Sequence, residues 1–127
     1  MFLDNFYNQN QSELTISAEQ GSSFAKTISN DFNPIHDPDS KRFCVPGDLL
    51  FALVLQRYGL SQNMSFSFAG MVARDTSLLF PSAPGNQFEI VDGRDKSYLQ
   101  VSRSGETVNN QQIIEQLVRN YVVFSGQ

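Results

Sequence analysis

Seven apolar residues in succession, Leu49-Leu50-Phe51-Ala52-Leu53-Val54-Leu55, interrupt a chain whose apolar positions otherwise come in short alternating groups. Leu and Ala dominate the run and only Val54 is β-branched, so its propensity is helical. It follows Pro46-Gly47-Asp48, where an acidic side chain suits a helix N-terminus, and it stops before Gly59, a residue suited to the left-handed position past a helix end. A helix apolar around its whole circumference has no face for water and must be buried on nearly every side. In a small domain, a sheet wrapped around it supplies that burial.

The remaining pattern supplies the sheet. Residues 1–11 are polar and rich in Asn and Gln, and they read as a loose lead-in. Glu13-Leu14-Thr15-Ile16 reads as a short strand, and Ser17 with Gln20 forms a capping box ahead of a helix carrying Phe24 and Ile28. That helix must end by about Asn30, before the extended residue that precedes Pro34. After the central helix, Met64, Phe66, Phe68 and Gly70 alternate with Ser65, Ser67 and Ala69 as a strand with one apolar face. Further strands fall at Thr76–Phe80, Phe88–Ile90 and Leu99–Val101, the last ended by Ser104-Gly105. Short turns between them predict an antiparallel meander, and four or five such strands around one helix make an α+β domain. Ile113, Ile114, Leu117, Val118, Tyr121 and Val122 then recur at helical spacing, predicting an amphipathic helix from about Asn110 to Val123. A long final strand competes there, because Val and Tyr favour strands.

Composition narrows the function. With 127 residues, 40% of them apolar, the chain is one domain, with a core over 11–109 and a C-terminal helical segment over 110–127. Eleven Phe and no Trp suggest a Phe-lined interior. A net charge of −4 without clustered Lys or Arg argues against nucleic acid and against an anionic membrane surface. The single Cys44 excludes an internal disulfide, and the start of the chain lacks the basic and apolar regions of a signal peptide, so the expected compartment is the cytoplasm.

The candidate chemistry precedes the central helix. Asp31 and His36 lie five residues apart across the Asn33-Pro34 turn, which can bring both side chains to one place. Imidazole titrates near neutrality, and a carboxylate beside it can orient it or share acid–base work. Backbone amide at Gly47, on the helix N-terminus, could receive a developing oxyanion. Spacing alone leaves a second reading open, in which Asp and Asn cap a turn and the histidine is structural. Cys44 reads either as a thiolate activated by the helix start or as a small buried apolar residue. His36 with Asp37 and Asp39 lacks a zinc spacing, so no metal is expected. Phe66, Phe68, Phe80 and Phe88 could line an acyl tunnel or simply fill the core.

The stretch Phe24-Ala25 through Asp31-Phe32-Asn33-Pro34-Ile35-His36-Asp37 resembles the signature of the MaoC-like hydratases, the hot-dog-fold family that includes (R)-specific enoyl-CoA hydratases. The resemblance implies a hot-dog fold, an antiparallel sheet wrapped around the apolar helix. It implies that Asp31 and His36 are the catalytic pair, that Gly47 supplies the oxyanion amide, and that Asn33 and Pro34 shape the loop. The implied reaction is reversible hydration of a 2-enoyl thioester of CoA or acyl-carrier protein, with no cofactor apart from the thioester carrier itself. A thioesterase and a non-catalytic acyl-binding or assembly module are the alternatives on the same fold. Two features depart from the family: Pro46-Gly47 stands where a His-Gly pair is usual, and the segment between His36 and Gly47 is shorter. The whole chain is also similar to the first half of a bacterial family of unknown function built as a double hot dog. The expected partner is therefore a second copy in a homodimer or a second hot-dog half, paired along an open sheet edge.

Overall fold

The computed structural model describes residues 2–125. It is a mixed α+β structure, with one six-stranded antiparallel sheet and three α-helices. Helix α1 spans Ala18–Thr27, α2 Gly47–Tyr58 and α3 Gln111–Ser125. The strands are β1 (Asn8–Asn10), β2 (Glu13–Thr15), β3 (Leu60–Phe68), β4 (Leu78–Leu79), β5 (Gln87–Asp92) and β6 (Ser97–Val108). Their order across the sheet is β1-β2-β4-β5-β6-β3.

Helix α2 lies where the apolar run places it. Leu49, Leu50, Ala52, Leu53, Val54 and Leu55 are buried, Asp48 and Phe51 are partly exposed, and Arg57 in the C-terminal turn is exposed. The alternating positions of the sheet meet it in one core: Phe88 and Ile90 from β5, Leu99 and Val101 from β6. Helix α1 starts at the expected capping box. Gln20 N donates to Ser17 Oγ at 3.1 Å and Ser17 N donates to Gln20 Oε1 at 3.0 Å. It ends at Thr27, three residues before the expected limit, because Asn30 takes a left-handed φ of 55° and the Asp31 amide turns back onto the Ala25 carbonyl at 2.7 Å.

Several expectations change. Residues 2–10 are not a loose lead-in: Phe2–Phe6 forms a 3-10 turn that buries Leu3 and Phe6 under α1, and β1 follows. The sheet has six strands rather than four or five. β4, β5 and β6 form a meander, but β3 lies beside β6, so residues 69–77 cross from one edge of the sheet to β4. The cause is length. β3 pairs over most of its nine residues with the twelve-residue β6, whereas β4 is two residues long. Ser104-Gly105 does not end β6; the strand runs to Val108, and Gly105 (φ +85°) sits at a bulge where Ser61 and Asn63 face Thr107 and Ser104. The 110–123 segment is helical, which removes the strand alternative. Its buried stripe of Ile114, Val118 and Val122 packs into the core; of the residues assigned to this segment, 126 and 127 lie outside the described residues.

Gly59 is the junction between α2 and β3. Its φ is +83°, its amide donates to the Leu55 carbonyl at 2.9 Å, and a Cβ there would lie 2.8 Å from the Val108 carbonyl oxygen. Gly59→Ala combines a disfavoured backbone region with a backbone collision, so the expected loss is more than about 1 kcal/mol. Urea unfolding of the variant checks this, and an unchanged midpoint would contradict it.

Candidate functional site

The segment from Asn30 to Val45 hangs between α1 and α2 and is fixed by its own polar groups. Asp31 Oδ1 accepts from the Asn33 amide at 3.0 Å, and Asn33 Oδ1 accepts from the Ile35 amide at 3.1 Å. Two successive side-chain turns thereby lead into the 3-10 turn Pro34–His36, where Pro34 presets the backbone. Asp37 pairs with Lys26 of α1 at 3.1 Å, and the Cys44 amide donates to the Ile35 carbonyl at 3.2 Å. The Val45 amide donates to Val72 in the crossover at 2.8 Å, which ties the far end of the segment to the rest of the fold.

This loop brings Asp31 and His36 together. His36 Nε2 lies 3.5 Å from Asp31 Oδ2, with the imidazole largely buried and the carboxylate about one quarter exposed. His36 Nδ1 lies 2.9 Å from the Cys44 carbonyl oxygen. A carbonyl only accepts, so Nδ1 carries a proton and donates it. That assigns the tautomer of the neutral ring: Nε2, the nitrogen facing Asp31, carries the lone pair. A neutral imidazole then turns a lone pair toward a carboxylate, an arrangement relieved by a proton in the gap or by a molecule that hydrogen-bonds to both from one side. The gap of 3.5 Å is just longer than a direct hydrogen bond and leaves the pair ready to share one with a water or a substrate.

Cys44 sits on the other side of the ring, its Sγ 3.9 Å from Nδ1. Burial pushes its thiol pKa up, and the Asp31 charge adds to the rise. A helix N-terminus does not activate this thiol; the small buried apolar reading fits it better. What matters chemically at this position is the Cys44 carbonyl, for which no side-chain pattern in the sequence gives a signal.

Asn33 and Pro34 are exposed and shape the loop, and the Asn33 amide holds the Asp31 carboxylate through Oδ1. Gly47 opens α2, among the amides that have no partner within the helix. It is joined to the pair through the three-residue step from Cys44, at most roughly 11 Å of extended chain. A Cβ on Gly47 would lie 3.3 Å from the Phe68 ring, so that ring rests on the helix start. Phe68 also walls a groove of about 450 Å³ with Asp48, Phe51, Met64, Phe66 and Tyr121. Phe68, whose ring rests on Gly47, is one of its walls, and Asp31 and His36 are not among its lining residues. Of the four candidate tunnel residues, Phe66 and Phe68 line it, whereas Phe80 stacks under Arg57 and Phe88 against Tyr58. Tyr121 was not a sequence candidate; its place on the apolar side of α3 was the available signal.

Among the described residues no group of three or more His, Cys, Asp or Glu side chains is arranged to hold a metal ion, and no helix is long and apolar enough to cross a membrane.

The chain belongs to the family described as protein of unknown function (DUF3581), whose model matches residues 1–127. No curated protein and no solved structure matches it.

The geometry makes one electrostatic prediction. Asp31→Asn removes the charge that helps raise the Cys44 thiol, so its pKa should fall, while burial keeps it above the ordinary thiol value. The pH dependence of iodoacetamide alkylation measures this. An unchanged thiol titration would place the Asp31 charge away from the ring and thiol.

Proposed function

We propose that the chain is a hot-dog-fold, MaoC-like hydratase that adds water reversibly to a 2-enoyl thioester of CoA or acyl-carrier protein. The observation that carries this reading is the orientation of His36: Nδ1 donates to the Cys44 carbonyl while Nε2 faces the Asp31 carboxylate. A water lying beside the pair and hydrogen-bonded to both Oδ2 and Nε2 would lose a proton to the pair as its oxygen bonds to C3. The C2–C3 π electrons move toward the thioester carbonyl, giving an enolate, and the pair returns a proton to C2. Water is consumed and nothing is oxidised or reduced, so the residues present suffice. The Gly47 amide, in the first turn of α2, would receive the enolate oxygen, with the helix dipole adding to its pull.

The groove supports an acyl substrate, because Met64, Phe66 and Phe68 give it an apolar wall among polar Asp48, Ser61 and Gln62, and the Phe68 ring lies against Gly47. The buried, reduced Cys44 fits a cytoplasmic setting. A second reading, a non-catalytic acyl-thioester-binding module, draws on one observation: the Phe68 ring occupies the approach to Gly47.

Loss of the enoyl absorbance from a panel of 2-enoyl-CoA thioesters separates the readings. Turnover is expected, with Asp31→Asn and His36→Ala each lowering it by at least about 10²-fold, the usual contribution of positioned acid–base groups. Both positions lie in a loop, so the variants should retain the wild-type circular dichroism. Release of free thiol from saturated acyl-CoA would instead indicate a thioesterase. Acyl binding without turnover would select the binding module.

A further inference from the structure

The Cys44 carbonyl orients the His36 ring, so whatever fixes Cys44 fixes the imidazole. Cys44 follows a four-residue turn, Ser40–Phe43, closed where the Phe43 amide donates to the Ser40 carbonyl at 3.3 Å. That bond is longer than most of its kind, and the two middle residues, Lys41 and Arg42, are exposed. An exposed turn held by one long hydrogen bond opens at little cost. Phe43 is nevertheless buried, with the tip of its ring against Gly21 of α1, where an added Cβ would come within 2.8 Å of Phe43 Cζ.

Arg74, in the crossover, braces both ends of this turn. One guanidinium nitrogen donates to the same Ser40 carbonyl at 3.0 Å, and Arg74 Cζ lies 5.4 Å from the centre of the Phe43 ring. The brace has a firm base. Asp75 takes a left-handed φ of 59°, its amide donates to the Ile16 carbonyl just past β2 at 2.9 Å, and the Thr76 hydroxyl donates to the Ala73 carbonyl at 2.9 Å. Two residues before Arg74, the Val72 carbonyl accepts from the Val45 amide at 2.8 Å. Cys44 is therefore bracketed, gripped on one side through Arg74 and on the other through Val72. Arginine suits the task because its flat guanidinium can stack on a ring and donate in its own plane, which an ammonium cannot do. Arg74 is not among the residues lining the groove of Phe66 and Phe68.

We propose that Arg74 is a positioning residue for the Asp31–His36 pair: it holds the Ser40–Phe43 turn closed and thereby keeps the Cys44 carbonyl where it accepts from His36 Nδ1. Only the kinetic consequence rests on the hydratase reading; the orientation of the ring belongs to the protein without substrate.

The ¹⁵N shifts of the single histidine read the ring directly. In Arg74→Ala, Nδ1 should spend part of its time without the carbonyl, so both nitrogen shifts move toward the average of the two tautomers. Arg74 is exposed, so the circular dichroism should stay that of the wild type. Arg74→Lys keeps the charge and loses the flat donor, and it should move the shifts in the same direction; it gives the same reading if Arg74→Ala folds poorly. With 2-enoyl-CoA substrates, Arg74→Ala should lower kcat by about tenfold or more and change KM by less than about twofold, because the ring is misplaced while the groove is untouched. A merely structural role would lower the unfolding midpoint and leave the His36 shifts of the folded variant unchanged. Wild-type shifts in folded Arg74→Ala or Arg74→Lys overturn the proposal, and so does a kinetic loss confined to KM. If the wild type hydrates no substrate, the hydratase reading falls and the nitrogen shifts alone decide the role of Arg74.

Discussion

Burial of α2 is the constraint on which the rest depends. Leu49, Leu50, Leu53, Val54 and Leu55 are each buried, at about 1.5–3 kcal/mol per side chain removed from water. No single neighbour can cover a helix that is apolar on nearly all sides. The sheet supplies Phe88, Ile90, Leu99 and Val101, α3 supplies Ile114, Val118 and Val122, and the N-terminal turn with α1 adds Leu3 and Phe24. Both ends of α2 are therefore fixed: at the start by Pro46 and the Phe68 ring on Gly47, at the finish by the left-handed Gly59 that turns directly into β3.

The loop carrying Asp31 and His36 draws its order from that scaffold. One end leaves α1 through the left-handed Asn30, and the other enters α2 through Cys44–Pro46, so the chain between them has little freedom to lose. Within it, two side-chain turns and a proline set the path, and one hydrogen bond from Nδ1 to a backbone carbonyl orients the ring. The result is a nitrogen and a carboxylate oxygen 3.5 Å apart in a largely buried place, with their polarity unsatisfied by one another unless a proton or a third molecule joins them. That is how a loop of ordinary turn residues can become chemically poised.

Much of this was legible in the chain because it rests on local rules. The unbroken apolar run and Gly59 located α2, the Ser17–Gln20 spacing located α1, and the two apolar stripes located α3. The Asp31–His36 juxtaposition followed from the turn chemistry of Asn33 and Pro34. The errors lie where distant residues decide. The N-terminal segment looked polar, yet Leu3 and Phe6 find a hydrophobic seat that only the folded chain provides. Ser104-Gly105 carries the signal of a turn, but β3 pairs across it and converts it into a bulge. The place of β3 beside β6 is a property of matched strand lengths, which short turn signals do not encode. At the site, the Cys44 carbonyl was invisible because any residue has one.

The central claim is that His36 is held with its proton on Nδ1 and with Nε2 toward Asp31. As the chain's only histidine, His36 gives a single imidazole spin system in a ¹⁵N-histidine-labelled sample, so its two nitrogens can be followed without interference. The geometry predicts that the neutral ring carries its proton on Nδ1 and that Asp31→Asn perturbs Nε2 more than Nδ1. A neutral ring protonated on Nε2 would contradict the account.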